Sequence, residues 1–503
     1  MQRWFSQAIG GLPRQFWLLW TGTLINRLGS FVVIFLAIYL TGERGFSQSQ
    51  AGLVIGLYGV GGALGTTAGG VLADRWGRRP TMLVAQFGAA ALMLALGFAH
   101  EYGQILATTF LLGFFSEAVR PAFSAMMVDV VPEKDRVRAY SLNYWAINLG
   151  FALSSVGAGL AAKADYLLLF VVDAASTLIT ATIFLIFVKE TRPARIDVRR
   201  QASPGGLGTV LRDRIFVGYL LVSLGGVVVM MQHMSTLPIA MTSDGLSAAT
   251  YGAVIAVNGV LIVLGQLFIP KLIGNHDNAR VLAVASLIIG VGFGLTAFAN
   301  AAWFFTLTVV IWTLGEMLQS PSNAATVAGL SPAALRGRYQ GLSSLSWSAG
   351  TALAPILGGF TQEHLGDAAL WLGCFAVCAL VALGHLLAAP SRRRRIAAMA
   401  TADPAPAPSL STASTSAPSL STASTSAADP SSAPSPSTAS TSATASTSAT
   451  DAAFATSASA SAADPAFATP ASAATVALGA LPPAEAEPVA DIPPEIIKER
   501  SAR

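Results

Sequence analysis

Apolar residues along this chain gather into long runs separated by short clusters of charge, glycine and turn-forming residues. The runs fall near residues 15–41, 50–73, 80–99, 103–129, 139–162, 165–188, 215–241, 248–273, 280–299, 302–328, 339–362 and 367–389. Each is close to the roughly twenty residues needed to cross the hydrocarbon core of a bilayer. Backbone facing lipid must satisfy its own hydrogen bonds, so each run reads as a helix. The pattern predicts an all-α membrane protein of twelve transmembrane helices. From about residue 400 it stops, and Ala, Ser, Thr and Pro take over. Pro408–Ala417 (PSLSTASTSA) recurs unchanged at Pro418–Ala427. Such a segment cannot bury enough apolar surface to offset its ordering entropy, and reads as a disordered tail.

The twelve runs are duplicated at an offset of 200 residues. Gly52, Val54, Ile55, Gly59, Val60, Leu64 and Gly65 return as Gly252, Val254, Ile255, Gly259, Val260, Leu264 and Gly265. Pro132, Arg136 and Arg138 return as Pro332, Arg336 and Arg338. Two parallel six-helix repeats follow, related by an axis along the membrane normal. The expected domains are an N-terminal bundle (1–188), a linker (189–214), a C-terminal bundle (215–390), and a basic stop leading into the tail (391–503).

Composition agrees with this pattern. Of 503 residues 53% are hydrophobic and 11% charged, against roughly 25% charged in ordinary soluble proteins. The stretch from residue 396 carries 3 basic and 9 acidic residues, leaving 27 basic and 17 acidic ones, a net of +10, in the membrane body. With an inside N-terminus, Lys and Arg divide 23 to 2 between cytoplasmic and external segments, Arg44 and Lys163 being the external two. The asymmetry predicts a multi-pass protein of the cell membrane with both termini cytoplasmic, and explains the basic charge without nucleic acid. No cleavage site follows the first run, which reads as a retained anchor. Cys374 and Cys378 both fall inside a helix, so neither a disulfide framework nor a metal site is expected. No phosphate loop, metal cluster or nucleophile–base pair stands out, so no cofactor and no enzyme activity are expected.

Ionisable residues at bilayer depth are costly and mark function by default. Asn26 and Arg27 lie in the first run. Glu117 and Arg120 lie three apart on the fourth, hence on one face. Gln232 and His233 lie in the seventh, among Met230, Met231 and Met234. Glu316 lies mid-way along the tenth. A self-neutralising Glu117–Arg120 pair is the structural alternative for that site, and a hydrogen-bonded helix histidine is the alternative for His233. Asp173, in the sixth run, reads as structural.

The loop after the second run reads Gly70-Val-Leu-Ala-Asp74-Arg75-Trp-Gly77-Arg78-Arg79. Taken alone it is a glycine-assisted turn anchoring topology. With twelve helices and the duplication, the chain resembles the major facilitator superfamily of secondary transporters over about residues 15–390. The resemblance extends to that family's drug and metabolite:proton antiporter branch. It implies that helices 1, 4, 7 and 10 line the central cavity, that Asp74 sits against the N-terminus of helix 11, and that Arg78 pairs with Asp129. In the family these contacts close the cytoplasmic side of the outward-facing state. The second half lacks the motif, with Gly274, Asn275, Asp277, Asn278 and Ala279 at the corresponding positions. The branch's helix 5 string is altered, with Ser154-Ser155 where Gly-Pro is expected; helix 11 keeps Ala354-Pro355. The function implied is proton-coupled efflux of small organic molecules by a monomer, with an uptake symporter or a non-transporting sensor as alternatives. Glu316, with no cation nearby in sequence, is the favoured proton carrier.

Overall fold

The computed structural model describes residues 10–191, 207–266, 268–274, 276–332 and 335–402; the tail expected to be disordered lies beyond residue 402, outside them. All regular elements among the described residues are helical. Eleven helices are long and apolar enough to cross a membrane: α1 (Arg14–Glu43), α2 (Gln48–Arg75), α3 (Arg78–Phe98), α4 (Tyr102–Val130), α5 (Arg138–Ala164, its helix beginning at Arg136), α6 (Leu167–Phe187), α7 (Arg214–Ser243), α8 (Ala248–Gly265), α9 (Asn278–Phe298), α10 (Ala302–Leu330) and α12 (Asp367–Leu387). The twelfth, α11 (Arg336–Leu365), spans 30 residues. Its first half (RGRYQGLSSLSWS) is too polar to meet the same hydropathy measure, but the helix as a whole packs along α2 as its counterpart α5 packs along α8.

Two spans are broken at corresponding places. In α1 the first helix ends at Leu28 and a second begins at Val32. The freed N–H of Val32 donates to Asp173 Oδ2 of α6 at 3.1 Å, and Asp173 is buried. A carboxylate thus caps a helix start inside the membrane, satisfying a donor that lipid cannot. In α7 the break falls at Met231. Gln232 bridges it, donating to the carbonyls of Val228 (3.3 Å) and, across on α11, Ala354 (2.9 Å).

The halves meet along two seams, α2 with α11 and α8 with α5. The seams repeat each other at the 200-residue offset. Gly52 lies against the Pro355 carbonyl and Gly252 against that of Ser155; Gly59 faces Ala352 and Gly259 faces Ala152. A side chain at Gly52 or Gly252 would collide with backbone. Small residues permit this closeness, and in lipid, where apolar burial gives no driving force between helices, close contact itself stabilises association.

The two ends of the molecule differ. We call the end carrying the 75–78 and 130–136 turns and the start of α11 the basic end. At the far end one apolar core draws on both halves, including Phe35 against Tyr251 and the stacked Phe293 and Trp312. At the basic end the cores separate, one around Phe16, Met126 and Phe184, the other around Phe216, Leu330 and Tyr339. The protein is closed at the far end and parted at the basic end.

The basic stop is more than a charge anchor. Residues 389–402 form a helix, α13 (Ala389–Ala402), whose arginines grip the C-terminal bundle. Arg393 Nε and Nη2 contact the Asp277 carboxylate at 3.2 and 2.5 Å. Arg395 bonds both oxygens of Asp213, which also accepts from Tyr339 Oη at 2.6 Å. Arg392 is buried beside His385 and over the Tyr219 ring. α13 thus packs on the C-terminal bundle past residue 390, its cations meeting the carboxylates at the starts of α7 and α9.

Candidate functional site

In the C-terminal half, Glu316 lies mid-way along α10 and is half-buried. Asn258 of α8 donates from Nδ2 to Glu316 Oε2 at 2.7 Å and to Thr313 Oγ1 at 3.1 Å. Asn258 and Thr313 are themselves buried. Tyr144 of α5, from the opposite half, shares the electrostatic neighbourhood of Glu316. No arginine, lysine or histidine forms an ion pair with Glu316 among the described residues. The arrangement is a carboxyl group held in place by an amide, able to take or give a proton without breaking an ion pair.

The N-terminal half is built differently. Glu117 Oε2 lies 2.8 Å from Arg120 Nη2, with Glu117 27% and Arg120 60% exposed along their side chains. Glu117 reaches over Gly62 of α2, where a side chain would crowd its Cγ. Arg27 of α1, exposed, packs its stem on Gly150 of α5. Tyr58 of α2 shares the electrostatic neighbourhood of Glu117 and Arg27. Tyr58 and Asn258 correspond at the 200-residue offset, so each half sets a polar residue of its second helix beside an acid of its fourth.

Three expected cavity residues stand elsewhere. Asn26 donates to Thr177 Oγ1 of α6 at 3.0 Å, tying α1 to its neighbour. Gln232 is buried, its Oε1 accepting from Thr236 at 2.9 Å, and so braces the α7 break rather than lining the cavity. His233 is buried too, Nδ1 against the Met230 carbonyl at 2.5 Å and its ring beside Trp312. Its backbone carbonyl accepts from Tyr251 Oη at 3.0 Å. All three side chains, expected from the sequence to line the cavity, bond across or within helix junctions. A recess of about 210 Å3 between α7, α10 and α11 has the polar lining instead, from Ser223, Asn323, Gln340 and Ser343 with Trp347. The sequence signal for it was the Ser343-Ser344-Leu-Ser346 cluster in the first half of α11.

At the basic end, Arg78 Nε lies 3.2 Å from Asp129 Oδ2. Gly70 faces Pro121 across the turn of α2 and α4, Arg75 is exposed, and Arg79 donates to the Phe184 carbonyl at 3.4 Å. Gly77 has φ +118°, a conformation side chains resist, and any Cβ there would meet Glu190. Glu190, which the sequence reading passed over, accepts from the backbone N–H groups of Arg78 and Arg79 at 3.0 Å each, capping α3. Asp74 is 79% exposed and lies 3.8 Å from Arg78. It does not rest on the start of α11, because the halves are parted at this end.

Twelve long helices in two duplicated bundles, sharing a core at one end and parted at the other, have the architecture of a membrane transporter. The Major Facilitator Superfamily model matches residues 19–355 and 233–428, and the chain belongs to that family. It is 30% identical to the uncharacterised MFS-type transporter YttB of Bacillus subtilis (strain 168), over 72% of this chain and 91% of that protein. It is 25% identical to a Na(+), Li(+), K(+)/H(+) antiporter of Planococcus maritimus (68% and 88% covered). Identity is also 25% to the multidrug resistance protein MdtH of Escherichia coli (73% and 93%). Among solved structures, a POT family transporter in complex with 5-aminolevulinic acid superposes with TM-score 0.65 over 76% of this chain and 98% of that one, at 16% identity.

Proposed function

We propose that this transporter couples proton movement to export of small organic molecules across the cell membrane. The observation that carries the reading is Glu316: a mid-membrane carboxyl oriented by Asn258 and free of an ion pair among the described residues. A group that must load and release a proton each cycle is best held by a neutral donor, since a fixed cation would keep it ionised. The Glu117–Arg120 pair serves as the second, internally neutralised element of the cavity, with Arg27 available to compete for Glu117. Kinship with a cation/proton antiporter and a multidrug resistance protein supports export by exchange. The 23 to 2 loop asymmetry supports placing the basic end in the cytoplasm, and on that reading the described conformation is inward-facing. Asp74, Arg75, Gly77, Arg78, Arg79, Gly70 and Asp129 then control the cytoplasmic closure, and substrate and protons are the partners at the centre. The test is transport in proteoliposomes under an imposed pH gradient, against lipophilic cations, weak acids and sugars. Uptake into inside-out vesicles that follows the gradient and collapses when it is dissipated supports the reading; gradient-independent equilibration of every solute overturns it.

A further inference from the structure

The seams α2/α11 and α8/α5 match in their glycines, yet they differ in charge at their ends. In the last turn of α11, Glu363 Oε2 accepts from the backbone N–H of Ser49, in the first turn of α2, at 2.7 Å. This bond joins the two halves at the far end. The start of α2 also has its own capping box, Ser47 with Gln50, so Glu363 adds a carboxylate to an already ordered helix N-terminus, where negative charge is favoured. At the other end of the same two helices the roles exchange: α2 carries the carboxylate, Asp74 in its last turn, and α11 offers the N-terminus, beginning at Arg336. Here Asp74 is 79% exposed and the ends stand apart.

The second seam has neither carboxylate. At the 200-residue offset Glu363 becomes Lys163 and Asp74 becomes Gly274. The start of α8 relies on Ser247, which accepts from its own Thr250 N–H at 3.1 Å. A vestibule of about 580 Å3, lined in part by Gln48, Thr242, Gln362 and Glu363, opens beside the Glu363 contact at the far end and leaves room for water there. A hydrated carboxylate can leave a helix N-terminus at modest cost, because water replaces the lost donor.

We propose that α2 and α11 form a two-ended latch, in which Glu363 on the Ser49 end of α2 holds the far side shut and Asp74 on the start of α11 holds the basic side shut, one carboxylate engaged at a time. The latch rests on reading the chain as an alternating-access transporter. Glu363 is a positioning residue: it biases the conformational equilibrium and does not touch substrate. One helix pair would then set the balance between the two facing states, and the α8/α5 seam would follow.

The test is pulsed electron resonance on the full chain in nanodiscs, without substrate. One spin-label pair spans the far end (Glu43→Cys with Ala368→Cys) and another the basic end (Arg75→Cys with Gly337→Cys). The native Cys374 and Cys378 are both buried and are replaced by alanine. Loss of a capping group of typical strength shifts a two-state ratio about fivefold. Glu363→Ala should therefore lengthen the far-end distances and shorten the basic-end ones by that population shift, and Asp74→Asn should do the reverse. Glu363→Gln, which keeps an acceptor and loses the charge, should shift in the same sense by less; it also serves if the alanine variant folds poorly. Lys163→Ala should leave both distributions unchanged. Far-end distances unaltered in both Glu363 variants, in protein that responds to Asp74→Asn, overturn the latch. Because no substrate is present, failure of the proton-coupled export reading would appear only in the transport assay.

Discussion

The two bundles descend from one pattern, and their polar centres have parted from it. In the N-terminal bundle an acid is answered one turn away by Arg120; in the C-terminal bundle the acid has moved by one register position, from 117 to 316, and is answered by Asn258 on another helix. The seams between the halves retained glycine at 52/252, 59/259 and 159/359, where each lies against the other half's helix. Packing against backbone tolerates no substitution without a collision, whereas the identity of a polar partner can change wherever the cavity leaves room. The repeated scaffold thus carries two different polar centres, an internal ion pair in one half and a carboxyl bonded to an amide in the other.

The sharpest way to break this contrast is to neutralise each acid in turn. Glu316→Gln should abolish accumulation against a gradient while substrate exchange at equilibrium continues, as measured in the same vesicles; Glu117→Gln should retain gradient-driven transport. If Glu117→Gln loses coupling and Glu316→Gln keeps it, the assignment of roles to the halves is reversed.

Next in size is the clasp of α13. Asp213 is buried beneath Arg395, and removing one partner of a buried pair costs about 3 kcal/mol. Arg395→Ala should lower the melting temperature in detergent accordingly, whereas a chain ending at residue 402 should melt and transport as the full chain does. Equal stability of Arg395→Ala and the parent would return α13 to a mere topology anchor.

The partners of the acids come third. Asn258→Ala should move the pH of half-maximal transport, since it removes the donor that orients Glu316, while Tyr58→Phe should not. A shift from Tyr58→Phe alone would place the titrating group in the N-terminal centre.

The smallest effect concerns Asp277. The Arg393 guanidinium beside it holds its carboxyl below the usual carboxylate range. The pair therefore contributes stability in full above the ordinary carboxylate pKa and loses it as pH falls through the lowered value. Parent and Asp277→Asn should differ in melting temperature at neutral pH and converge in acid. A difference independent of pH would show that the carboxylate charge is not what holds α13.

Hydropathy revealed the helices because bilayer thickness imposes one length on all of them, and the repeat was legible in glycines whose environment is backbone. Contacts formed across the fold were hidden. The break in α1 lies within an apolar run, Gly29-Ser30-Phe31, and its cap is Asp173, 141 residues away from Val32. Arg393 and Arg395 read as a topology anchor because their partners Asp277 and Asp213 are over a hundred residues distant. Gln232 and His233 looked available on a cavity helix; only the α7 break and the neighbouring α8, α10 and α11 reveal that they are occupied. The Arg78–Asp129 contact was suggested by the motif, whereas the place of Asp74 depends on conformation, which no sequence displays.

The capped break in α1 has a mechanical corollary. A continuous helix bends in hydrocarbon only by stretching or losing backbone bonds that nothing nearby replaces. Here the joint is made in advance, and the donor at its far side is already held by Asp173. The segment beyond it, Val32–Ile38, rests on the corresponding segment of α7, Gln232–Ser243. The joints of both half-helices are therefore satisfied before any bending, one by Asp173 and the other by Gln232. A change of angle at either joint leaves no additional backbone group bare in hydrocarbon as long as those two side chains stay engaged.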